Sequence, residues 1–308
     1  MKILDNNERI SENSIVLIGN FDGIHMGHQK LLKKAIDIKN KSNKPLKIVA
    51  LTFYPHPRTL LKNKIVRNIF TLEEKAIAFE KLGANYLKVC DFNEENRNLS
   101  PEEFVDKFLY QQLNCRYVIV GEGFTFSKNK SGNVKVLIEL SKKYDFEVVP
   151  IKHYESDVVF DDKISSTTIR DLIKNSDIKS ANELLGRPFF IIGKVCSGKM
   201  LGRTIGFPTA NINVSDSKIL PKNGVYATKT KIRDKIYKSI TNVGINPTFD
   251  VCKKVVETNL FDYDGDLYGE QIVVEFFDYI RSETKFTNID ELKKQIEIDV
   301  EIVKKLDY

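Results

Sequence analysis

The feature that most restricts the fold of this chain is a change of rhythm along it. Between about Ser14 and Pro150, short β-rich runs alternate with segments of helical periodicity. Ile15–Ile18, Lys47–Phe53, Tyr86–Val89, Tyr117–Val120 and Glu147–Pro150 read as strands. Between them, Gln29–Lys39, Leu72–Leu82, Pro101–Leu113 and Val134–Tyr144 read as helices, the first with Leu31, Leu32, Ala35 and Ile36 on one face. Repeated βα units of this length predict a Rossmann-like α/β domain, a parallel sheet covered by helices, with ligands at the carboxyl ends of the strands. After roughly Leu185 the runs become short and alternating, punctuated by Gly and Pro: Phe189–Val195, Val225–Ile232, Ile236–Asn242, Val255–Phe261 and Ile272–Phe277. That pattern predicts a small antiparallel β-barrel. Ile289, Leu292, Ile296, Val300 and Val303 then recur at spacings of three and four, the stripe of a closing amphipathic helix. The expected domains are 1–184 and 185–308.

Composition narrows the class. With 308 residues, 42% hydrophobic and 29% charged, the chain can bury a core in each domain without disulfides or a structural metal. Cys90, Cys115, Cys196 and Cys252 are scattered and form no CxxC pair, which argues for reduced, buried thiols, against zinc, and for a cytoplasmic location. Met1–Glu8 lacks a signal-peptide core, and no apolar run approaches the roughly 18 residues of a membrane span. The net charge of +6 is spread along the chain without a basic tail or run, a solvated surface rather than a nucleic-acid footprint. A mild positive bias also suits polyphosphate substrates. His153, alone in a polar stretch, reads as a surface residue. The oligomeric state is left open.

The densest chemical signal is Gly19-Asn20-Phe21-Asp22-Gly23-Ile24-His25-Met26-Gly27-His28, which follows a strand and opens a helix. Glycines let the backbone approach a phosphate, and a helix start offers unpaired N–H groups and a positive dipole end. His25 and His28, three apart, can face one side of the first turn and stabilise charge on a transferring phosphoryl group. A two-histidine metal site and two structural histidines are the alternatives. Ser165-Ser166-Thr167-Thr168-Ile169-Arg170 is the second piece. One hydroxyl there is an N-cap; four with a guanidinium suit a triphosphate clamp.

These two strings resemble the signatures of the nucleotidylyltransferase superfamily, and their wording is similar to the FMN adenylyltransferase module of prokaryotic bifunctional FAD synthetases. Thr52-Phe53-Tyr54-Pro55-His56-Pro57 and Gly121-Glu122-Gly123-Phe124-Thr125-Phe126 fit that module. The resemblance implies that Gly19, Phe21, Asp22, Gly23, His25, Gly27, His28, Ser166, Thr167 and Arg170 bind ATP. His25, His28 and Arg170 would act on the α-phosphorus and triphosphate, and Asn20, Pro55, His56 and Phe124 would contact the flavin. FMN would attack in line and release pyrophosphate. The family often carries Asn or Asp where this chain has Gly123, and Gly where it has Ser127, which keeps an altered N-terminal site open as an alternative.

Gly202-Arg203-Thr204-Ile205-Gly206-Phe207-Pro208-Thr209-Ala210-Asn211 lacks the Gly-Lys-Ser/Thr ending of a Walker A loop. Its Thr209 hydroxyl and Asn211 carbonyl are hard oxygen donors suited to Mg²⁺ shared with nucleotide phosphates. The string resembles the Pro-Thr-Ala-Asn signature of riboflavin kinases, as do Gly224–Ala227, Asn242–Gly244, Val256–Thr258, Asp264–Gly269 and Arg281–Phe286. It implies ATP binding by Gly202, Arg203, Gly206, Pro208 and Thr209, and flavin contacts from Asn242, Glu257 and Arg281. Glu257 would be the general base for the ribityl hydroxyl. The joint expectation is a Mg²⁺-dependent, ATP-using enzyme that makes FMN from riboflavin and FAD from FMN. A flavin-responsive binding protein is the alternative of another class.

Overall fold

The computed structural model describes all residues except 58, 60–65, 153–163, 198–201, 203–204 and 249–250, and for 246–254 the backbone alone. His153 and Arg203 therefore lie outside the described residues. By its packing the chain divides into two compact units, Met1–Ser166 and Thr167–Tyr308.

The first unit holds strands β1 (Lys2–Leu4), β2 (Ser14–Ile18), β3 (Lys47–Tyr54), β4 (Tyr86–Asp91), β5 (Cys115–Gly121), a hairpin of β6 (Thr125–Phe126) and β7 (Gly132–Asn133), and β8 (Glu147–Ile151). Its main sheet is parallel throughout, ordered β1-β4-β3-β2-β5-β8. All five residues of β2 are buried, because a central parallel strand is covered on both faces. Helices α1 (Met26–Lys41) and α2 (Leu72–Lys81), short α3 (Glu94–Arg97), α4 (Pro101–Phe104) and α5 (Val134–Tyr144) connect the strands. Val16, Ile18, Val49, Leu51, Val118 and Val120 pack with Phe104, Phe108 and Leu137 from one side. The single helix expected over 101–113 is α4 followed by a π-helical segment, Val105–Gln112, in which the Leu113 N–H reaches back five residues to the Phe108 carbonyl. The wider turn still buries Val105, Phe108, Leu109 and Gln112 on one side. Strand order reverses at β2, with β3 and β4 on one side and β5 and β8 on the other. The loops leaving β2, β3 and β5 therefore meet at the switch point of the sheet, where such folds bind ligands.

The second unit begins within α6 (Ser166–Lys174), continues through α7 (Ile178–Leu185), and forms a closed antiparallel barrel ordered β10-β13-β12-β11-β14-β9. Its strands are β9 (Phe189–Cys196), β10 (Ala210–Asn213), β11 (Gly224–Ile232), β12 (Lys235–Thr248), β13 (Val251–Leu260) and β14 (Gln271–Arg281). Helices α6 and α7 fall on the first-domain side of the sequence boundary, yet α7 packs on the barrel. Asn182 donates to the Phe276 carbonyl at 2.8 Å and accepts from the Phe189 N–H at 2.7 Å. Alternation along the strands gives the barrel wall two different sides. Thr228, Thr230, Ser239, Thr241 and Thr258, all 0% exposed, face inward and bond to one another through their hydroxyls. Val225, Ala227, Ile240 and Phe261 face outward and are covered by Val300 and Val303 of α8 (Ile289–Lys305). The closing stripe is shorter than the spacing predicts. Ile289 is 56% exposed, because as the first residue of α8 it precedes the part that meets the barrel. Among the described residues, no helix is long and apolar enough to cross a membrane.

Of the cysteines, Cys90 and Cys115 are buried, and burial pushes the Cys90 thiol up to about 12. Cys196 is exposed, against expectation, because it is the last residue of β9. The Cys252 side chain lies outside the described residues.

Candidate active sites

In the first unit, the glycine-rich segment leaves β2 and turns back into α1. The Gly19 N–H bonds to the Leu51 carbonyl of β3 at 3.1 Å, so the loop starts in register with the sheet. It then takes a costly path. Phe21 and Ile24 have φ of 48° and 43°, a region that β-branched and bulky residues rarely occupy. Phe21 is fully buried, with its ring edge-on to His28 and Phe79 at 5.2 Å each. Asp22 is 1% exposed and its Oδ1 accepts the N–H groups of Ile69 and Phe70 at 2.8 and 3.1 Å. That oxygen holds the chain ahead of α2, so the structure gives Asp22 a scaffolding role beside the nucleotide role expected of it.

His25 is the N-cap of α1, and its side chain does not accept a capping N–H from the first turn. The His25 and His28 rings stack at 3.7 Å between centroids and 24° between planes, which brings the two predicted imidazoles together at the positive end of a helix. Among the described residues, no group of three or more His, Cys, Asp or Glu is placed to hold a metal. Ser166 donates to the Asp22 carbonyl at 2.8 Å, joining the second signature to the first. Thr167 follows, exposed, and Arg170 stands one turn further along α6, 7% exposed.

The neighbouring loops come from β3 and β5. Pro55 is exposed at the end of β3, after a cis Tyr54–Pro55 bond, and His56 is 7% exposed. Phe124 stacks on Phe126 at 5.5 Å and packs against the core, so part of its ring area is already spent on the fold. Ser127 has φ 65° and ψ −179°, a glycine conformation held by a residue with a side chain. Asn20 Oδ1 is buried with no hydrogen-bond partner among the described residues, an acceptor presented at the carboxyl edge of the sheet. Lys75, which with Thr52 holds the Asn20 main chain from behind, carries no motif of its own and was not found by sequence reasoning.

The second unit assembles its site on the outer face of the barrel. Cross-strand pairing puts Asn211, Glu257, Asn242, Val225 and Arg281 in one row over β10, β13, β12, β11 and β14. A cavity of about 290 Å³ lies between this row and α8, lined by Thr209, Asn242, Glu257 and Arg281 on the wall and by Leu292 and Ile296 on the helix. A second cavity, of about 570 Å³, is lined by Pro208, Thr209, Ala210, Tyr263, Asp266 and Leu267. Thr209 borders both. Gly202 comes so close to the Phe207 carbonyl that a Cβ there would stand 2.3 Å from the oxygen, and Gly206 has φ of 88°; the loop needs both glycines. Asn259, two residues after Glu257 and so on the same face, fixes the loop by donating to the Pro208 carbonyl at 2.7 Å. Period-two counting from Glu257 could have found it.

Arg281 lines the cavity with its guanidinium already engaged. Its Nε and Nη2 clasp the carboxylate of Asp299 on α8 at 2.7–2.9 Å, and Gln295 donates to the same carboxylate at 2.9 Å. Asp299 carries no signal in the sequence beyond being an acidic residue inside an apolar stripe.

A glycine-rich helix start at the switch point of a doubly wound sheet, with a carboxylate lining one cavity on a barrel and a hydroxyl lining two, fits a nucleotide-using transferase with two sites. Residues 7–168 match the family model described as FAD synthetase, and residues 185–306 match that described as riboflavin kinase. The bifunctional riboflavin kinase/FMN adenylyltransferase of Bacillus subtilis (strain 168) is 40% identical over 292 residues, 93% of this chain and 90% of that protein. Its namesake in Escherichia coli (strain K12) is 33% identical over 290 residues, 94% and 91% of the two chains. A crystal structure described as a macrolide-efflux protein from Streptococcus pneumoniae superimposes with a TM-score of 0.87 at 32% identity, covering 100% of both chains. This chain belongs to the bifunctional riboflavin kinase/FMN adenylyltransferase family.

Proposed function

We propose that the barrel unit transfers the γ-phosphoryl group of ATP to riboflavin, giving FMN and ADP, and that the α/β unit adenylylates FMN with a second ATP, giving FAD and pyrophosphate. The observation that carries the reading is the cross-strand row at the barrel surface, which sets Glu257 between Asn211 and Asn242 beside the cavity under α8. Riboflavin fits the apolar cavity roofed by Leu292 and Ile296, and ATP the larger one. Thr209, on the border, is where the two substrates would meet. Glu257 accepts the proton of the ribityl hydroxyl as that oxygen attacks the γ-phosphorus. Thr209, just before β10, and Asn211, within it, are two residues apart and offer neutral oxygen donors. That set fits Mg²⁺, which when bound would neutralise charge on the phosphates.

In the first unit, the stacked His25 and His28 and the start of α1 stabilise charge on the α-phosphate while FMN attacks and pyrophosphate leaves. Ser166, Thr167 and Arg170 keep their assignment to the triphosphate, and Asn20, His56 and Phe124 theirs to the flavin, on the strength of the resemblance. The functional boundary is proposed at 184/185 as read from the sequence. Ser127 keeps the backbone shape of the glycine that the resemblance gives as common at this position, which supports adenylyl transfer over an altered site.

The test supplies purified protein with riboflavin, ATP and Mg²⁺ and follows the flavins by chromatography. FMN should rise first and then convert to FAD. Glu257→Gln should slow FMN formation by roughly 10²- to 10⁴-fold and leave FAD formation from added FMN intact. FMN that accumulates even when supplied directly with ATP would favour the altered-site alternative.

A further inference from the structure

The loop that carries His25 does not hold its own shape. Two non-glycine residues with positive φ, Phe21 and Ile24, each cost on the order of 1–3 kcal/mol and persist only where the surroundings over-determine them. The surroundings here are α2. Asp22 reaches out of the loop to the backbone ahead of α2. Lys75, in the first turn of α2, reaches back: its Nζ donates to the Asn20 carbonyl at 2.8 Å and approaches Thr52 Oγ1 at 3.3 Å. The two ties run in opposite directions and bracket Phe21.

Lys75 is an expensive residue for the purpose. It is 4% exposed, and burying an ammonium costs several kcal/mol before compensation. It also stands at the positive end of a helix, where a cation is disfavoured. The Asn20 carbonyl already receives a neutral hydrogen bond, from Thr52 Oγ1 at 3.0 Å. What Lys75 adds is a second, charged tether on a residue whose side-chain acceptor, Asn20 Oδ1, is buried with no partner among the described residues.

Building on the adenylyltransferase reading, we propose that Lys75 is a positioning residue for adenylyl transfer. By clamping the Asn20 main chain it holds the strained loop so that Asn20 and the His25–His28 pair meet FMN and the α-phosphate in reacting geometry. A displacement of about 1 Å in such a group can cost 10²-fold in rate.

The test uses the full chain and both half-reactions. Lys75→Met should lower kcat for FAD formation from FMN on the order of 10²-fold, with KM for FMN and for ATP within about twofold and riboflavin phosphorylation unchanged. Lys75→Gln, which keeps a polar donor in a similar volume, should lose less, yet at least roughly tenfold, and serves if the Met variant fails to fold. Thr71→Ala, which removes the side-chain cap of α2 and keeps the main-chain carbonyl that accepts the Lys75 N–H, should leave FAD formation at the wild-type rate. Unchanged kcat in both Lys75 variants, an effect confined to KM, or an equal loss of both activities would overturn the assignment. Wild-type protein that phosphorylates riboflavin but forms no FAD would remove the adenylyltransferase reading itself, and this one with it.

Discussion

Ser127 shows how one residue can be at odds with its own backbone. Its φ of 65° with ψ near 180° belongs to a region open essentially to glycine, and its Oγ is buried without a partner among the described residues. The hydroxyl therefore brings strain and loses a hydrogen bond to water. Ser127→Gly removes both costs and adds some chain entropy to the unfolded state. We expect a net gain of about 1 kcal/mol, at the low end of what such a conformation stores. Urea denaturation followed by far-UV circular dichroism checks it; a lowered midpoint would mean that the side chain stabilises the hairpin in some other way.

At the scale of elements, α8 is fastened to the barrel by two unlike means. Val300 and Val303 bury an apolar stripe against Val225, Ala227 and Ile240, while Asp299 sits in that stripe and clasps Arg281. Removing one member of a buried ion pair strands the other. Asp299→Ala should destabilise the second unit by about 2 kcal/mol, less than for a fully buried pair because the Arg281 side chain is still 22% exposed. Unfolding monitored by tyrosine fluorescence reports it. The elements legible in the sequence are those whose burial is one-sided or complete over a full length: α5 spans Val134–Tyr144 as its periodicity predicts, and β3 and β5 differ from expectation only at their ends. The π-helical segment after α4 was illegible because its burial pattern matches that of an α-helix. β1 is three residues long and takes its identity from pairing with β4, a contact no local window contains. β10 hides inside the Pro-Thr-Ala-Asn string, where loop chemistry masks the strand. The motif residues of both sites were readable for the opposite reason, since glycines, histidines and hydroxyls in that order have few structural uses. Lys75, Asn259 and Asp299 were not, because each acts through a partner distant in sequence.

At the scale of the whole molecule, the two units have separate cores and separate candidate sites, and the product of one is the substrate of the other. Loss of one activity should therefore leave the other standing. Glu257→Gln and His28→Asn proteins, each alone, should make FAD from riboflavin far more slowly than the wild type. An equimolar mixture should make it after a lag, as FMN released by the second variant reaches the intact α/β unit of the first. Chromatography of the mixture decides it, and FMN that stays bound and never converts would show that the intermediate is not shared through solution.

Glu257 and Thr258 are neighbours on β13 that serve opposite sides of one wall, the first toward the cavity under α8 and the second toward the hydroxyls within. The strand is thus read like a two-letter frame. Inserting or deleting a single residue between Val251, where β13 begins, and Glu257 would swap the sides, driving a carboxylate among packed threonines and turning a hydroxyl out where the base should stand. Over evolutionary time, length changes in this family should be found in the loops that join the barrel strands, and within β13 only in steps of two.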